Sequence, residues 1–241
     1  MKSKTILIIV LAIVLLGVCV LCALTGYAGY AWLRNRSGNV QLWEVANVSA
    51  QVVETRNFEV TTPASLDIYS DAGSITVTAA EVDSIEVEMK RTAWATSEEE
   101  AQAAAQALPV TLTQTDNKVT INYTQNEQVN LLGNRGGTDS VDFIIRVPAD
   151  TAVSLQTSFG EIDLTGTNGE AALTSAFGNI SATDVTGALS MQGAQAMLSV
   201  KNVNSGSGSV TLDTSFGEVQ VDGLTGGQMH ISTSNGAITI N

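Results

Sequence analysis

The chain has 241 residues and a net charge of −13. That length accommodates one membrane segment and one domain of ordinary size. Lys2, Lys4, Arg34 and Arg36 flank an apolar stretch, so the rest of the chain carries a net charge of −17. So acidic a surface repels phosphate backbones, which argues against nucleic acid as a partner.

An uninterrupted apolar segment runs from Ile6 to Leu24. Its 19 residues, at about 1.5 Å each, nearly cross a hydrocarbon core of roughly 30 Å. Aromatic residues and then arginines follow, as at an interfacial anchor. A cleaved signal peptide usually has a shorter apolar core. We therefore predict a cytoplasmic tail over 1–4 and an uncleaved transmembrane signal-anchor helix over 5–33.

The orientation of this anchor is not decided by the flanking charges, because two cations lie on each side of it. The short tail and the large polar domain that follows favour an N-terminus inside and a domain outside. We expect a single-pass protein of the cell membrane with an extracytoplasmic C-terminal domain, whose first partner is the bilayer.

The rest of the chain divides into a polar stalk over 34–57 and a β-strand domain over 58–241. Ile85, Val87 and Met89 alternate with glutamates, which indicates a half-buried strand. Ser97 and Glu100 form a capping box that starts the one helix predicted in this domain. Leu66 to Val77 resembles a divergent earlier repeat unit. We predict that the helix and a hairpin, together 97–139, are inserted between that unit and the later ones.

Five similar segments, each with two short strands and two turns, follow one another over 152–241. A glycine occupies the same slot in four of them, at Gly160, Gly178, Gly217 and Gly236, and Ala196 takes it in the third. Glycine suits such corners because they need positive φ or close backbone approach. A period near 19 residues predicts an all-β, β-solenoid-like stack of two-strand repeats. A β-sandwich is the alternative.

These repeats carry a resemblance. The Phe-Gly-x-Ile units, the N-terminal anchor and the entry at Val147 and Pro148 resemble bacterial membrane-anchored β-strand-repeat domains of unknown function, often described as candidate adhesins. The resemblance covers roughly Phe58 to Asn241. It implies an exported, membrane-attached domain of a bacterial envelope, and no catalytic residue carries over from it.

One row of aromatic residues is a candidate contact site: Phe159, Phe177 and Phe216 precede three of the glycines. The row is either a sugar-binding surface or a packing ladder beside the corner. Phenylalanine favours packing, because it lacks the polar group of Trp or Tyr.

Titratable residues offer no clear chemistry. The only histidine, His230, alternates with apolar neighbours and is expected to face solvent. Three carboxylates, Glu161, Asp163 and Glu218, follow the glycine slots. Carboxylates that converge in one place can bind calcium or hydrolyse glycosides. Acidic residues in turns, however, are usually solvated. We predict no catalytic, metal or cofactor site.

The last repeat ends at Ile238 and Ile240, without a polar cap after them. An uncapped coil presents unpaired backbone groups and an apolar row, so we expect self-association or partner binding there. The predicted function is non-enzymatic binding or scaffolding, adhesin-like, towards an unknown protein or glycan. The alternatives are a glycan-active enzyme on a β-helix and a sensor of envelope state acting through a membrane partner.

Overall fold

The computed structural model describes residues 46–125 and 137–241. Among these residues, no helix is both long and apolar enough to cross a membrane. The predicted tail, the anchor and the first part of the stalk lie outside the described residues. The predicted stalk over 34–57 nevertheless needs correction, because strand β1 begins at Val48 and Val45–Asn241 forms one structural unit.

Seventeen strands and one helix make up the part of the chain that is described. In chain order they are β1 (Val48–Glu59), β2 (Ala64–Ala72), β3 (Ile75–Ala80), β4 (Ser84–Ala95), α1 (Glu98–Gln106), β5 (Val110–Thr115), β6 (Lys118–Tyr123), β7 (Ser140–Pro148), β8 (Thr151–Phe159), β9 (Ile162–Thr165), β10 (Ala171–Phe177), β11 (Ile180–Thr183), β12 (Leu189–Gln195), β13 (Leu198–Asn204), β14 (Val210–Phe216), β15 (Val219–Thr225), β16 (Met229–Asn235) and β17 (Ile238–Ile240).

The strands form two sheets. The first sheet has nine strands in the order β1-β4-β7-β3-β9-β11-β13-β15-β17, and the second has eight in the order β16-β14-β12-β10-β8-β2-β6-β5. Each repeat gives one strand to each sheet and pairs in parallel with its neighbours. The predicted solenoid-like stack is confirmed; a β-sandwich would be built from antiparallel sheets.

The core lies between the two sheets, where the inward residues of successive coils align in rows. In the first sheet one such row contains Ile75, Ile162, Ile180, Leu198 and Val219, all at most 1% exposed. Because side chains alternate along a strand, every second residue joins such a row. One coil buries little by itself, and stacking makes the core continuous.

The order of the coils differs from their order in the chain. Strand β2 lies between β6 and β8, and strand β3 lies between β7 and β9. The first repeat therefore sits inside the stack, and the coil made of β6 and β7, which follows it in the chain, lies on its outer side. Helix α1 and the hairpin β5–β6 were predicted as an insertion, but β6 itself pairs with β2 and belongs to the stack.

The end of the stack that contains β1 is covered. Strand β1 pairs antiparallel with β4, and α1 packs against both through Ala101 and Ala105, which are fully buried. The Ser97 hydroxyl accepts the backbone N–H of Glu100 at 3.3 Å, as a capping residue does. The Glu100 carboxylate accepts the hydroxyl of Thr96 rather than returning to Ser97.

Candidate functional site

The corner that leads from the second sheet to the first brings the backbones of neighbouring coils together. A Cβ added at Gly178 would lie 2.0 Å from the carbonyl oxygen of Gly160 in the preceding coil. The other slots, Gly160, Gly217 and Gly236, show the same approach, at 1.9–2.0 Å. Close backbone contact therefore explains the glycines at all four slots.

A row of inward-facing hydroxyls, buried at Thr157, Ser175 and Thr214 and half-buried at Thr233, supports these corners. Each hydroxyl donates to the carbonyl oxygen of a corner residue in the preceding coil: Thr157 to Gly73 at 3.3 Å, Ser175 to Gly160 at 3.0 Å, Thr214 to Ala196 at 3.0 Å and Thr233 to Gly217 at 3.0 Å. A side-chain hydroxyl in this position satisfies a buried carbonyl. This row was not predicted from the sequence, although a Ser or Thr two residues before the Phe position is visible in each unit except that of Gly193.

The coil β12–β13 departs from both rows. Gly193 stands where its neighbours have Ser175 and Thr214, and Ala196 stands where they have glycine. A Cβ added at Gly193 would lie 2.7 Å from the Cβ of Ala196. The absence of a side chain at Gly193 thus makes room for the methyl group of Ala196.

Phe159, Phe177 and Phe216 form what we call the phenylalanine ridge, at the outer side of this corner. Phe177 pairs with Phe159 on one side and with Gln195 on the other, and Gln195 pairs with Phe216. The rings of Phe159 and Phe177 stack with centroids 5.0 Å apart and an interplanar angle of 3°. The three residues are nevertheless 58%, 43% and 57% exposed, so the ridge is an apolar surface in contact with water.

The carboxylates that follow the glycine slots are spread along the stack. Glu161 and Asp163 lie at the start of β9 on its solvent side, and partial desolvation, then the charge of Glu161, raises the pKa of Asp163. Glu218 lies three coils away and accepts a hydrogen bond from the side chain of Gln220 at 3.1 Å. Within 46–125 and 137–241, no group of three or more His, Cys, Asp or Glu residues has the arrangement of a metal site.

The outer edge of β16 and β17 exposes residues that belong to core rows. Ile238 continues the row of Val219, and Ile240 continues the row of Val221. They are 44% and 63% exposed, and Met229, in the same coil, is 44% exposed. His230 is exposed beside them. The two isoleucines were predicted from the sequence but Met229 was not, because its inward position depends on its register with Val210.

These features define a parallel β-solenoid that displays rows of side chains on its outside. The sequence from 63 to 241 matches the family model Toastrack DUF4097, a domain of unknown function. Because the match covers most of the chain, the protein belongs to this family, and the resemblance predicted from the repeats is confirmed. The sequence matches no curated protein.

Several solved structures are similar to this chain. One is a candidate cell adhesion protein from Clostridium sporogenes, 14% identical, with a TM-score of 0.38 over 79% of this chain and 99% of its own. Another, a candidate adhesin from Bacteroides fragilis, is 13% identical, with a TM-score of 0.32 over 79% and 97%. A third, a candidate adhesin from Parabacteroides distasonis, is 10% identical, with a TM-score of 0.31 over 81% and 99%.

Proposed function

We propose that this protein is a non-catalytic, membrane-anchored binding or scaffolding protein of the cell envelope, with its β-solenoid outside the membrane. The observation that carries the proposal is the phenylalanine ridge. Exposed large apolar residues scattered singly are ordinary, but a contiguous apolar surface marks an interaction site. Here Phe159 and Phe177 form one stacked apolar pair, and Phe216 continues the same corner two coils further on, in a stack whose backbone spacing is set by close glycine contacts.

The placement of the carboxylates supports binding over glycan hydrolysis. Glycosidases hold two carboxyl groups about 5–9.5 Å apart across the scissile bond. Glu161 and Glu218 are separated by three coils, which is about 14 Å at a strand spacing of about 4.8 Å. Glu161 and Asp163 are closer, but both are exposed side chains on the outer face of one sheet. An envelope-sensing role would need a membrane partner and is the third candidate.

The membrane attachment rests on the apolar segment Ile6–Leu24 and its flanking aromatic residues and arginines. The acidic composition of the remainder is compatible with a domain that stands off anionic lipid headgroups. Two results are expected: resistance of the protein to carbonate extraction, and digestion of the domain by protease added to intact spheroplasts. Release by carbonate, or complete protection until lysis, would contradict the anchoring or the orientation respectively.

The binding role is tested by recovering the full-length protein from native membranes with its associated molecules. The variant Phe159→Ala with Phe177→Ala should lose a partner that the parent retains. Val53→Ala is the matched control, because Val53 is also an exposed apolar residue, 53% exposed, on β1 at the other end of the stack. A partner set identical in the parent and the ridge variant would refute the ridge as the binding surface.

A second contact surface is indicated by the exposed residues that continue the core rows at the edge of β16 and β17, namely Met229, Ile238 and Ile240. We propose that a second copy of the chain pairs with this edge, because unpaired strands with an apolar row are templates for further strands. Full-length protein in detergent should sediment as a concentration-dependent dimer, and Ile238→Lys with Ile240→Lys should be monomeric. A strictly monomeric parent would overturn this pairing.

A further inference from the structure

The surroundings of the phenylalanine ridge are acidic. Glu161 and Glu218 lie two residues after Phe159 and Phe216, and their strands begin immediately afterwards. Inward residues follow at Ile162 and Val219, which are fully buried. Since side chains alternate along a strand, both carboxylates are on the outer face of the first sheet, two residues along the chain from the ridge.

The positive charges of the domain lie elsewhere. Residues 151–241 contain seven acidic residues and one lysine, a net charge of −6. That lysine, Lys201, pairs in register with Thr183 and Asp222, towards the opposite corner. The ridge therefore lies in a negative field with no cation of its own coils beside it, and this field attracts cationic ligands.

The residues on the other side of the ridge are small. Ser158, Ala176, Ala194 and Ser215 come directly before the ridge positions of four successive coils. Stacking covers one face of the Phe159 ring and one face of the Phe177 ring, and the small neighbours leave the rest accessible. Aromatic faces carry negative electrostatic potential and attract ammonium and guanidinium groups.

We propose that the phenylalanine ridge binds an extended basic peptide, with arginine or lysine side chains over the rings and their charges facing Glu161 and Glu218. This deepens the proposed function, on which it rests, by naming the chemistry of the partner. Both parts of the surface are needed, because a neutral apolar partner would not use the carboxylates. A partner that is only cationic would not use the rings.

The dimensions of the ridge fit an extended chain. Phe159 and Phe216 are three coils apart, or about 14 Å at about 4.8 Å per strand. An extended peptide rises about 3.4 Å per residue, so residues i and i+4 are also about 14 Å apart and point to the same side. One basic side chain would contact the Phe159–Phe177 pair, and the other would contact Phe216.

The test uses full-length protein in detergent and fluorescein-labelled nine-residue peptides, measured by fluorescence anisotropy. The probe has arginine at positions 3 and 7 and serine elsewhere. One control has the two arginines at positions 3 and 4, which keeps composition and charge but changes the spacing. Another control replaces both arginines with glutamine. Ionic strength is set at about 0.05 M, because exposed charges are strongly screened at higher salt.

The expected result is that the probe binds more tightly than both controls. Phe159→Leu with Phe177→Leu retains apolar side chains but removes the aromatic faces, and should weaken binding about two- to fivefold for each cation–π interaction removed. Glu161→Gln with Glu218→Gln should weaken binding and flatten its salt dependence. Val53→Ala should leave the affinity unchanged.

Three outcomes would overturn the proposal: equal binding of the glutamine peptide, full affinity in the leucine variant, or displacement of the probe by a neutral oligosaccharide that binds the ridge itself. The last would assign the ridge to a glycan. If these peptide results are negative while the alanine variant still loses a membrane partner, the proposed function stands and only the partner chemistry is wrong. If the alanine variant loses nothing, the proposed function fails as well.

Discussion

Replacing Gly178 with alanine tests the contact between the coils most directly. The new Cβ would lie 2.0 Å from the carbonyl oxygen of Gly160 and 2.5 Å from its carbonyl carbon. These are backbone atoms, so no flexible side chain can move aside. Ordinary contact begins near 3.4 Å, and the two coils would have to separate locally by about 1.4 Å.

The cost of this separation has two parts. It would break the hydrogen bonds from the Gly160 amide to the Phe177 carbonyl, at 2.9 Å, and from the Ser175 hydroxyl to the Gly160 carbonyl, at 3.0 Å. Two such bonds contribute about 1–3 kcal/mol. Gly178 also has φ +142°, where another residue is strained by about 1–3 kcal/mol. The expected loss of unfolding free energy is about 2–6 kcal/mol.

The measurement is thermal unfolding of the full-length protein in detergent, followed by circular dichroism. For a domain of this size, Tm falls by roughly 2–4 °C per kcal/mol, so Gly178→Ala should lower Tm by about 10 °C. The control is Gly206→Ala, because Gly206 has φ +57° but no atom within 4 Å of the added Cβ. This control carries only the left-handed penalty of about 1–2 kcal/mol. Equal Tm values for the two variants would refute the close approach.

The remaining predictions concern two other places in the stack. Gly193→Thr should destabilise the protein, because the new Cβ would lie 2.7 Å from the Cβ of Ala196. Adding Ala196→Gly to this variant should restore stability. Additive effects of the two substitutions in a double-mutant cycle would contradict the compensation. Partial desolvation and the charge of Glu161 raise the pKa of Asp163. The native state therefore binds the carboxyl proton of Asp163 more tightly than the unfolded chain does, and the protein loses stability as pH rises through the pKa of the native state. Asp163→Asn should therefore raise Tm at pH 7 but not below the ordinary pKa of 3.8; an equal gain at both pH values would contradict this.

The stack can be predicted from the sequence because its determinants are local and repeated. The corner glycines recur at a nearly constant step, since the coils that carry them approach the preceding coil in the same way. The inward rows follow from alternation within each strand. For the same reason the earlier unit from Leu66 to Val77 is recognisable as a repeat, and it forms the coil β2–β3.

The order of the coils could not be predicted in this way. Nothing local to β6 indicates that it pairs with β2, because strand pairing depends on which apolar rows meet after the whole chain folds. Strand β1 was missed for a related reason. Apolar and polar residues do not alternate clearly in its sequence, and no residue of Val48–Glu59 is fully buried, because β1 is an edge strand covered only by β4 and α1.

The phenylalanine positions were visible in the sequence, but their environment was not. Phe159 is on the same side of strand β8 as Leu155 and Thr157, which are buried. Periodicity alone would place it in the core. It is exposed because it stands at the last position of its strand, where the chain turns at Gly160 and the facing sheet no longer covers it. Only the three-dimensional position of the corner distinguishes a core row from a surface ridge.

The coil β12–β13 shows how this fold separates backbone spacing from surface chemistry. It departs from its neighbours at Gly193, Gln195 and Ala196, and the first and third changes compensate each other sterically. The corner contact persists, since a Cβ at Gly217 would still lie 2.0 Å from the Ala196 carbonyl oxygen. Gln195 therefore interrupts the ridge while the corner contact with the following coil is kept. Because the backbone contacts hold the stack regardless of what the outer positions carry, those outer positions are free to be specified by a partner.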